Sequence, residues 1–383
     1  MAILCNIGCK LNQYEGFCLY EKFRTDGRVV IVNTCCVTYE AEIKSLKKLR
    51  HAKRLFPSYK IIVTGCLAQY KPEIFNEYTI INLEERSNII IETFPLPPKS
   101  RYFLKIEDGC NQPCTFCVVS QLRKNITSKP VEKIKQEILW ASDNKFKEIV
   151  FVGANIGLYG LDIDTSLIEL FKAISKMKNL PRIRLSSLEP KFVNSELIAV
   201  LKDLPFCRHF HIPVQSGDDK ILQLMDRPYQ KQDLINIFNL IVRNFSDVAI
   251  GADIIVGFPE ETQFEFNNTY DLIKSSPLTH LHIFPYSPRP ITPIYKLGDT
   301  VSLAEKKKRL WTLKQLIAEK NYLFRLGQKN KILSVIIEKK KGIIKGLTDN
   351  YLRVNIDKPC AERELVNVRI EKVTPKEISG SVI

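Results

Sequence analysis

The stretch Glu107–Ser120, EDGCNQPCTFCVVS, carries Cys110, Cys114 and Cys117 at spacing C-x3-C-x2-C. Structural zinc sites take four closed ligands, so this set would have to recruit a distant thiol such as Cys207. An iron–sulfur cubane is held by cysteine thiolates, normally four. Three protein thiolates leave one iron open to a substrate or cofactor, which is a chemical use for an odd count. Three more thiols, Cys9, Cys35 and Cys66, end the β-branched-rich stretches ILCNIGC, VVIVNTC and IIVTGC. Cys5, Cys18, Cys207 and Cys360 have no partner near in sequence and read as buried apolar thiols.

The elements that must position these thiols follow from periodicity. Segment 1–97 alternates short apolar strands with amphipathic stretches such as EAEIKSLKKLRHAKRLF, which predicts a small parallel α/β domain. In open parallel sheets the ligand crevice lies at the carboxyl ends of the strands, which would gather Cys9, Cys35 and Cys66 at one edge. TFPLPPKS then reads as a proline-rich linker.

Segment 100–300 repeats strand and helix six times, from RYFLKI to THLHIFPY. This predicts a parallel sheet, open or closing into a partial (β/α)6 barrel, with chemistry at the carboxyl ends of its strands. Cys110, Cys114 and Cys117 follow the first of those strands. After a helical connector, segment 328–383 holds five short strands, which predicts a small β-barrel. The fold class is therefore α/β with a small all-β module at its end.

The formal charge is +15, and 328–383 alone carries 12 Lys+Arg against 7 Asp+Glu. This balance suits a polyanionic partner, nucleic acid first, or else serves solubility. No apolar run reaches about 18 residues and no export signal is visible, so the cytoplasm is expected. In that compartment, cysteines favour metal or redox chemistry over structural disulfides.

The C-x3-C-x2-C motif, just after the first strand of a β/α series, resembles the radical S-adenosylmethionine superfamily. There the open iron of a 4Fe-4S cluster binds S-adenosylmethionine, which is cleaved to a 5′-deoxyadenosyl radical. IGCKLNQYE, VNTCCVT and VTGCLAQ resemble the three signatures of the methylthiotransferases within it. GANIGLYG, RLSSLEP, HIPVQSGDDKILQLMDRPY, DIIVGFPEET and HIFPYSPRPITP resemble that family's core blocks, in order. The resemblance implies two 4Fe-4S clusters, one on Cys110, Cys114 and Cys117 and one on Cys9, Cys35 and Cys66. Cys36 matches a family position that is not a ligand. The last segment is similar to the TRAM domain, an RNA-binding module.

The resemblance also implies a cofactor site. Phe116 precedes the third thiol of the motif, and Gly153 and Asn155 lie in a loop that would approach the methionyl end. Ser187, Glu189 and Gln215 would bond the ribose, Arg227 the cofactor carboxylate, and Gly257 and Phe258 would line the adenine. Each of these could instead serve structure alone. The pairs His209/His211 and His280/His282 read as barrel-interior or pocket-wall residues.

GCKLNQYE and RLSSLEP are most similar to the branch that inserts a methylthio group at C2 of N6-threonylcarbamoyladenosine, next to the tRNA anticodon. The modified base carries a carboxylate, for which Arg123, Lys129 and Arg289 are candidate partners. An electron donor and a sulfur donor are required as well. The other readings are methylthiolation of isopentenyladenosine or of a ribosomal-protein aspartate, and an RNA-binding homologue without turnover. Two departures from the family pattern stand out. Only 25 residues separate Cys9 from Cys35, which suggests a missing strand. VVSQLRKNITSK follows Cys117 where the family has a Pro, a Gly and arginines, with Thr127 where an arginine is common.

Overall fold

The computed structural model describes residues 2–87, 93–340 and 343–383. Residues 88–92 of the first segment, and Gly342 at the start of an expected strand, lie outside them.

The first segment runs β1 (Ile3–Asn6), α1 (Lys10–Phe23), β2 (Val29–Thr34), α2 (Tyr39–Leu55), β3 (Lys60–Gly65), α3 (Cys66–Tyr70), β4 (Thr79–Ile81) and α4 (Leu83–Ser87). Its four strands pair in parallel, in chain order. β2 is buried along its whole length, as a central parallel strand should be. The 25 residues between Cys9 and Cys35 hold all of α1 and β2, so the first crossover is complete despite its brevity. α2 begins where the Thr38 hydroxyl accepts a bond from the Ala41 amide at 3.2 Å, and it lays Leu49 and Ala52 on the sheet.

The second segment opens with β5 (Tyr102–Lys105). A short antiparallel ribbon, β6 (Glu107–Asp108) with β7 (Thr127–Ser128), brackets α5 (Val119–Leu122) and the cysteine loop. Then come α6 (Val131–Asp143), β8 (Glu148–Val152), α7 (Leu167–Ser175), β9 (Arg182–Leu185), α8 (Ser195–Lys202) and β10 (His209–Gln215). They are followed by α9 (Asp219–Leu224), α10 (Lys231–Asn244), β11 (Ala249–Val256), α11 (Gln263–Ser275) and β12 (Leu278–Pro285). The strands form two parallel triplets, β5-β8-β9 and β10-β11-β12. Parallel bridges Ile183–Phe206 and Ser187–His211 join them into one six-stranded series with β5 and β12 at its ends. The central core, from Tyr102 and Phe151 to Phe238 and Leu272, also includes Tyr14 of α1, so the two segments share packing.

α12 (Leu303–Leu326) packs along β12 and leads to a closed antiparallel-rich barrel of β13 (Ile332–Lys340), β14 (Ile343–Thr348), β15 (Arg353–Ile356), β16 (Leu365–Val373) and β17 (Ile378–Val382). Buried Glu148, the first residue of β8, pairs with Arg182 and Arg184 of β9. Those arginines donate to the carbonyls of Ser334, Leu347, Thr348 and Asp349 of the barrel, at 2.9 to 3.1 Å. Tyr351 stacks on His209 at 3.9 Å. These contacts come from the starts of β8, β9 and β10, so the barrel docks at the end of the core opposite the cysteine loop. Among the described residues, no helix is long and apolar enough to cross a membrane.

Candidate active site

Two of the thiols sit in matching local structure. β1 and β3 each run into a glycine with positive φ, Gly8 at +101° and Gly65 at +95°, followed at once by a cysteine and a helix. Only glycine adopts this bend at no steric cost. A Cβ on Gly65 would collide with the Thr34 carbonyl, and one on Gly8 would lie 3.3 Å from Cys35 Sγ. The glycines thus let the ends of β1, β2 and β3 close around Cys9, Cys35 and Cys66. The Ser45 hydroxyl accepts from the Cys35 amide at 2.9 Å and fixes that third position.

The second set lies opposite. Arg227 Nη1 donates to Cys114 Sγ at 2.9 Å and Asn155 Nδ2 to Cys110 Sγ at 3.8 Å. Arg227 is itself held by Glu189 and by the Tyr229 hydroxyl at 2.8 Å. Glu107 Oε2 accepts from the Asn155 amide at 2.9 Å, while its other oxygen and Asn155 Oδ1 are buried without a partner among the described residues. Burial pushes the Glu107 carboxyl up to about 9, so it is a neutral acid at physiological pH.

Cys9, Cys35, Cys66 and Cys117 line one chamber of about 430 Å³, and Cys110 and Cys114 are buried beside it. The chamber lies between the N-terminal sheet and the carboxyl ends of the core strands. Phe116, Arg123, Gly153, Ser187 and Gln215 line it too. Gln215 has φ +66, at a register shift in β10, an uncommon conformation outside glycine. Asn155, Glu189 and Arg227 do not line the chamber; Asn155 bonds Cys110, and Arg227, held by Glu189, bonds Cys114. Phe258 lies behind Phe116, edge to face at 6.1 Å, in a separate buried cluster, and Gly257 faces Lys306 of α12.

The three cations expected at the substrate are placed differently from one another. Arg123 lines the chamber but gives its guanidinium to Glu15, at 3.1 and 2.8 Å, and to Asp108 at 2.6 Å. Lys129 pairs with Glu137 and the Tyr14 hydroxyl, and Arg289 pairs with Glu42 at 2.6 Å; neither lines the chamber. Asp253 of β11, also in the lining, holds His211 at 3.0 Å and His282 at 3.2 Å on one oxygen. Cys207 is buried near Arg184 and Glu148, at the barrel interface, and offers the cysteine loop no fourth ligand.

The thiol sets fit iron–sulfur clusters better than single ions. Tetrahedral zinc at about 2.3 Å would bring its sulfurs within about 3.8 Å of one another. Among the described residues, only His211, Asp253 and His282 gather three ligand atoms within 4.8 Å, so both thiol sets are more open than a zinc cage. Within each set the thiols still perturb one another: Cys66 and Cys9 act on Cys35, and Cys117 on Cys114. Burial, as the largest cause, pushes Cys35 up to about 12 and Cys114 up to about 11. Thiolates there need a cationic partner, which a bound cluster supplies.

A sequence model of the radical SAM superfamily matches residues 104–273, and one described as uncharacterized protein family UPF0004 matches residues 2–83. The chain is 33% identical to the threonylcarbamoyladenosine tRNA methylthiotransferase MtaB of Thermotoga maritima, over 90% of this chain and 89% of that one. The chain belongs to the radical S-adenosylmethionine methylthiotransferase family. The MtaB protein of Aquifex aeolicus is 31% identical over 95% of this chain and 98% of its own. A tRNA-2-methylthio-N(6)-dimethylallyladenosine synthase of Acetivibrio thermocellus is also 31% identical, over 99% and 90%. Among solved structures, the radical S-adenosylmethionine methyltransferase TsrM of Kitasatospora setae superposes with a TM-score of 0.56 at 14% identity, covering 73% of this chain and 66% of that one. That likeness speaks to the fold.

Proposed function

We propose that this protein inserts a methylthio group at C2 of N6-threonylcarbamoyladenosine at position 37 of tRNA, in the cytoplasm. The observation that carries the reading is that Cys9, Cys35 and Cys66, at the ends of the N-terminal strands, share one chamber with Cys117 of the core's cysteine loop, whose Cys110 and Cys114 are buried beside it. Cys110, Cys114 and Cys117 would hold the 4Fe-4S cluster that binds S-adenosylmethionine, and Cys9, Cys35 and Cys66 the second 4Fe-4S cluster. When bound, these groups supply the radical, the sulfur and the methyl group that an unactivated C–H bond requires.

The chain's own residues hold, orient and exclude. Arg227 keeps negative charge favourable on the Cys114 sulfur through a charge-assisted bond, and Glu189 fixes the guanidinium. Gly153 leaves the second strand's loop bare; a side chain there would meet Glu107. Ser187 and Gln215 bring hydroxyl and amide groups to the wall for ribose contacts, and Phe116 an aromatic face. The apolar side chains Val118, Val152 and Ile255 give the lining surface that binds water poorly. An anticodon-loop base is already unpaired, so presenting it to this chamber costs less than flipping it from a duplex.

The small barrel, basic by five charges, supports tRNA binding from the other end of the core. The MtaB relatives favour the threonylcarbamoyl substrate, while the dimethylallyladenosine relative keeps isopentenyl-bearing tRNA as the rival. Mass spectrometry of tRNA nucleosides from cells with and without the gene tests the proposal. Loss of 2-methylthio-threonylcarbamoyladenosine alone supports it; loss of the isopentenyl product instead refutes the base assignment.

A further inference from the structure

We propose that Lys10 is the residue that binds the carboxylate of the modified base. The inference rests on the threonylcarbamoyl reading above and names the group that distinguishes that base from an apolar one. Among the described residues, two cations line the chamber, Lys10 and Arg123. Arg123 is already neutralised by Glu15 and Asp108. Lys10 is half-buried and makes no hydrogen bond or ion pair with any described residue.

Among the described residues, Cys9 and Asp253 are the acidic groups within its electrostatic reach, and neither bonds it directly. Asp253 is the only carboxylate those residues bring to the lining, and two imidazoles share its Oδ1. Arg101 and Arg184 lie within electrostatic reach and add positive charge. A partly buried ammonium without a counterion is costly, and a carboxylate arriving there relieves the cost. The placement is specific as well. Lys10 follows Cys9 directly and lines the same chamber as Cys9, Cys35 and Cys66. A substituent on N6 anchored at Lys10 would hold the base between the two thiol sets. An isopentenyl tail has nothing to bond there and would leave the ammonium unpaired. A different role for the same ammonium is balancing the thiolate charge at Cys9, Cys35 and Cys66, and the experiment separates the two.

The experiment uses the reconstituted full-length protein, wild type, Lys10→Met and Lys10→Arg. The probes are anticodon stem-loops bearing threonylcarbamoyladenosine or its methyl ester, and methylthiolation is measured per iron-loaded chain. A charge-assisted bond corresponds to roughly ten- to hundredfold in affinity. The wild type should prefer the free acid over the ester by that factor. Lys10→Met should abolish the preference, mainly through KM, and Lys10→Arg should restore much of it. An unchanged preference in Lys10→Met, or an equal loss on acid and ester, overturns the role and leaves charge balance at the thiols. Inactivity of the wild type on the free acid would overturn the base assignment itself, before any variant is compared.

Discussion

Arg123 and Glu15 meet through both terminal guanidinium nitrogens, at 3.1 and 2.8 Å, across the seam between the N-terminal sheet and the core. Glu15 lies on the helix that starts after Cys9, and Arg123 ends the loop that carries Cys110, Cys114 and Cys117. Arg86 and Lys105 complete the pairing of Glu15, at 2.6 and 2.7 Å, and Lys105 and Arg123 also bond Asp108. These cations hold the Glu15 carboxyl well below the usual carboxylate range, against the opposing effect of burial. One buried network thus sets the distance between the two thiol sets.

Removing one partner of this network leaves the others charged and buried. Glu15→Gln and Arg123→Met should each destabilise the fold by about 3–5 kcal/mol. Their effects should be strongly non-additive in the double variant. Urea unfolding checks this. Small, additive losses would make Arg123 a cation free to bind substrate.

The Glu148 cluster gives a pH prediction. Burial opposes its ionisation, but Arg184, Arg182 and Arg101 hold its carboxyl down at about 2, below its value in the unfolded chain. Its contribution is therefore complete above about pH 4.3 and is lost as the pH falls through about 2; at neutral pH it is worth roughly 3 kcal/mol. Glu148→Gln should lower stability most at neutral pH, with the gap to wild type narrowing in acid. A gap independent of pH would contradict the assignment.

The same cluster determines how the barrel should be tested. Deleting residues 328–383 would strip buried Arg182 and Arg184 of their carbonyl partners, so weakened tRNA binding could reflect damage to the core. Exposed Lys358, Arg369 and Lys376 are cleaner targets. Replacing each with Ser should weaken tRNA binding and flatten its salt dependence by about 0.7–0.9 for each phosphate no longer neutralised. An unchanged slope would make the barrel a structural cap.

How far the sequence reveals this arrangement depends on range. Cys9, Cys35 and Cys66 can be placed together because each ends an apolar stretch, and parallel strands put their ends at one edge. β4 escapes such a reading because it is three residues long and no longer than a turn. Lys129 and Arg289 look available in sequence because nothing nearby shows that Glu137 and Glu42 take their charge. Lys10 is inconspicuous for the converse reason: its lack of a partner emerges only once the chamber wall is assembled. RLSSLEP points toward the substrate in sequence, yet its Arg184 fastens the barrel.

Gly65 tests the cradle of the second thiol set. Gly65→Ala places a side chain at φ +95 against the Thr34 carbonyl. It should cost about 1–3 kcal/mol and displace Cys66 from Cys35. Iron analysis after reconstitution should show selective loss from the N-terminal set, with cleavage of S-adenosylmethionine retained. Full iron loading would show that the glycine is not needed to form the site.

The most direct test of the whole account combines both thiol sets with the product. Two cubanes correspond to roughly eight irons per chain. Replacing Cys110, Cys114 and Cys117 with Ala should remove about half of the iron and all S-adenosylmethionine cleavage. Replacing Cys9, Cys35 and Cys66 should remove the other half and keep some cleavage, but end methylthiolation. The wild type, given tRNA bearing threonylcarbamoyladenosine with reductant, S-adenosylmethionine and sulfide, should yield the 2-methylthio nucleoside by mass spectrometry, and should leave isopentenyl-bearing tRNA unchanged. Full iron content in the second triple variant, or a methylthio gain on isopentenyladenosine alone, would contradict it.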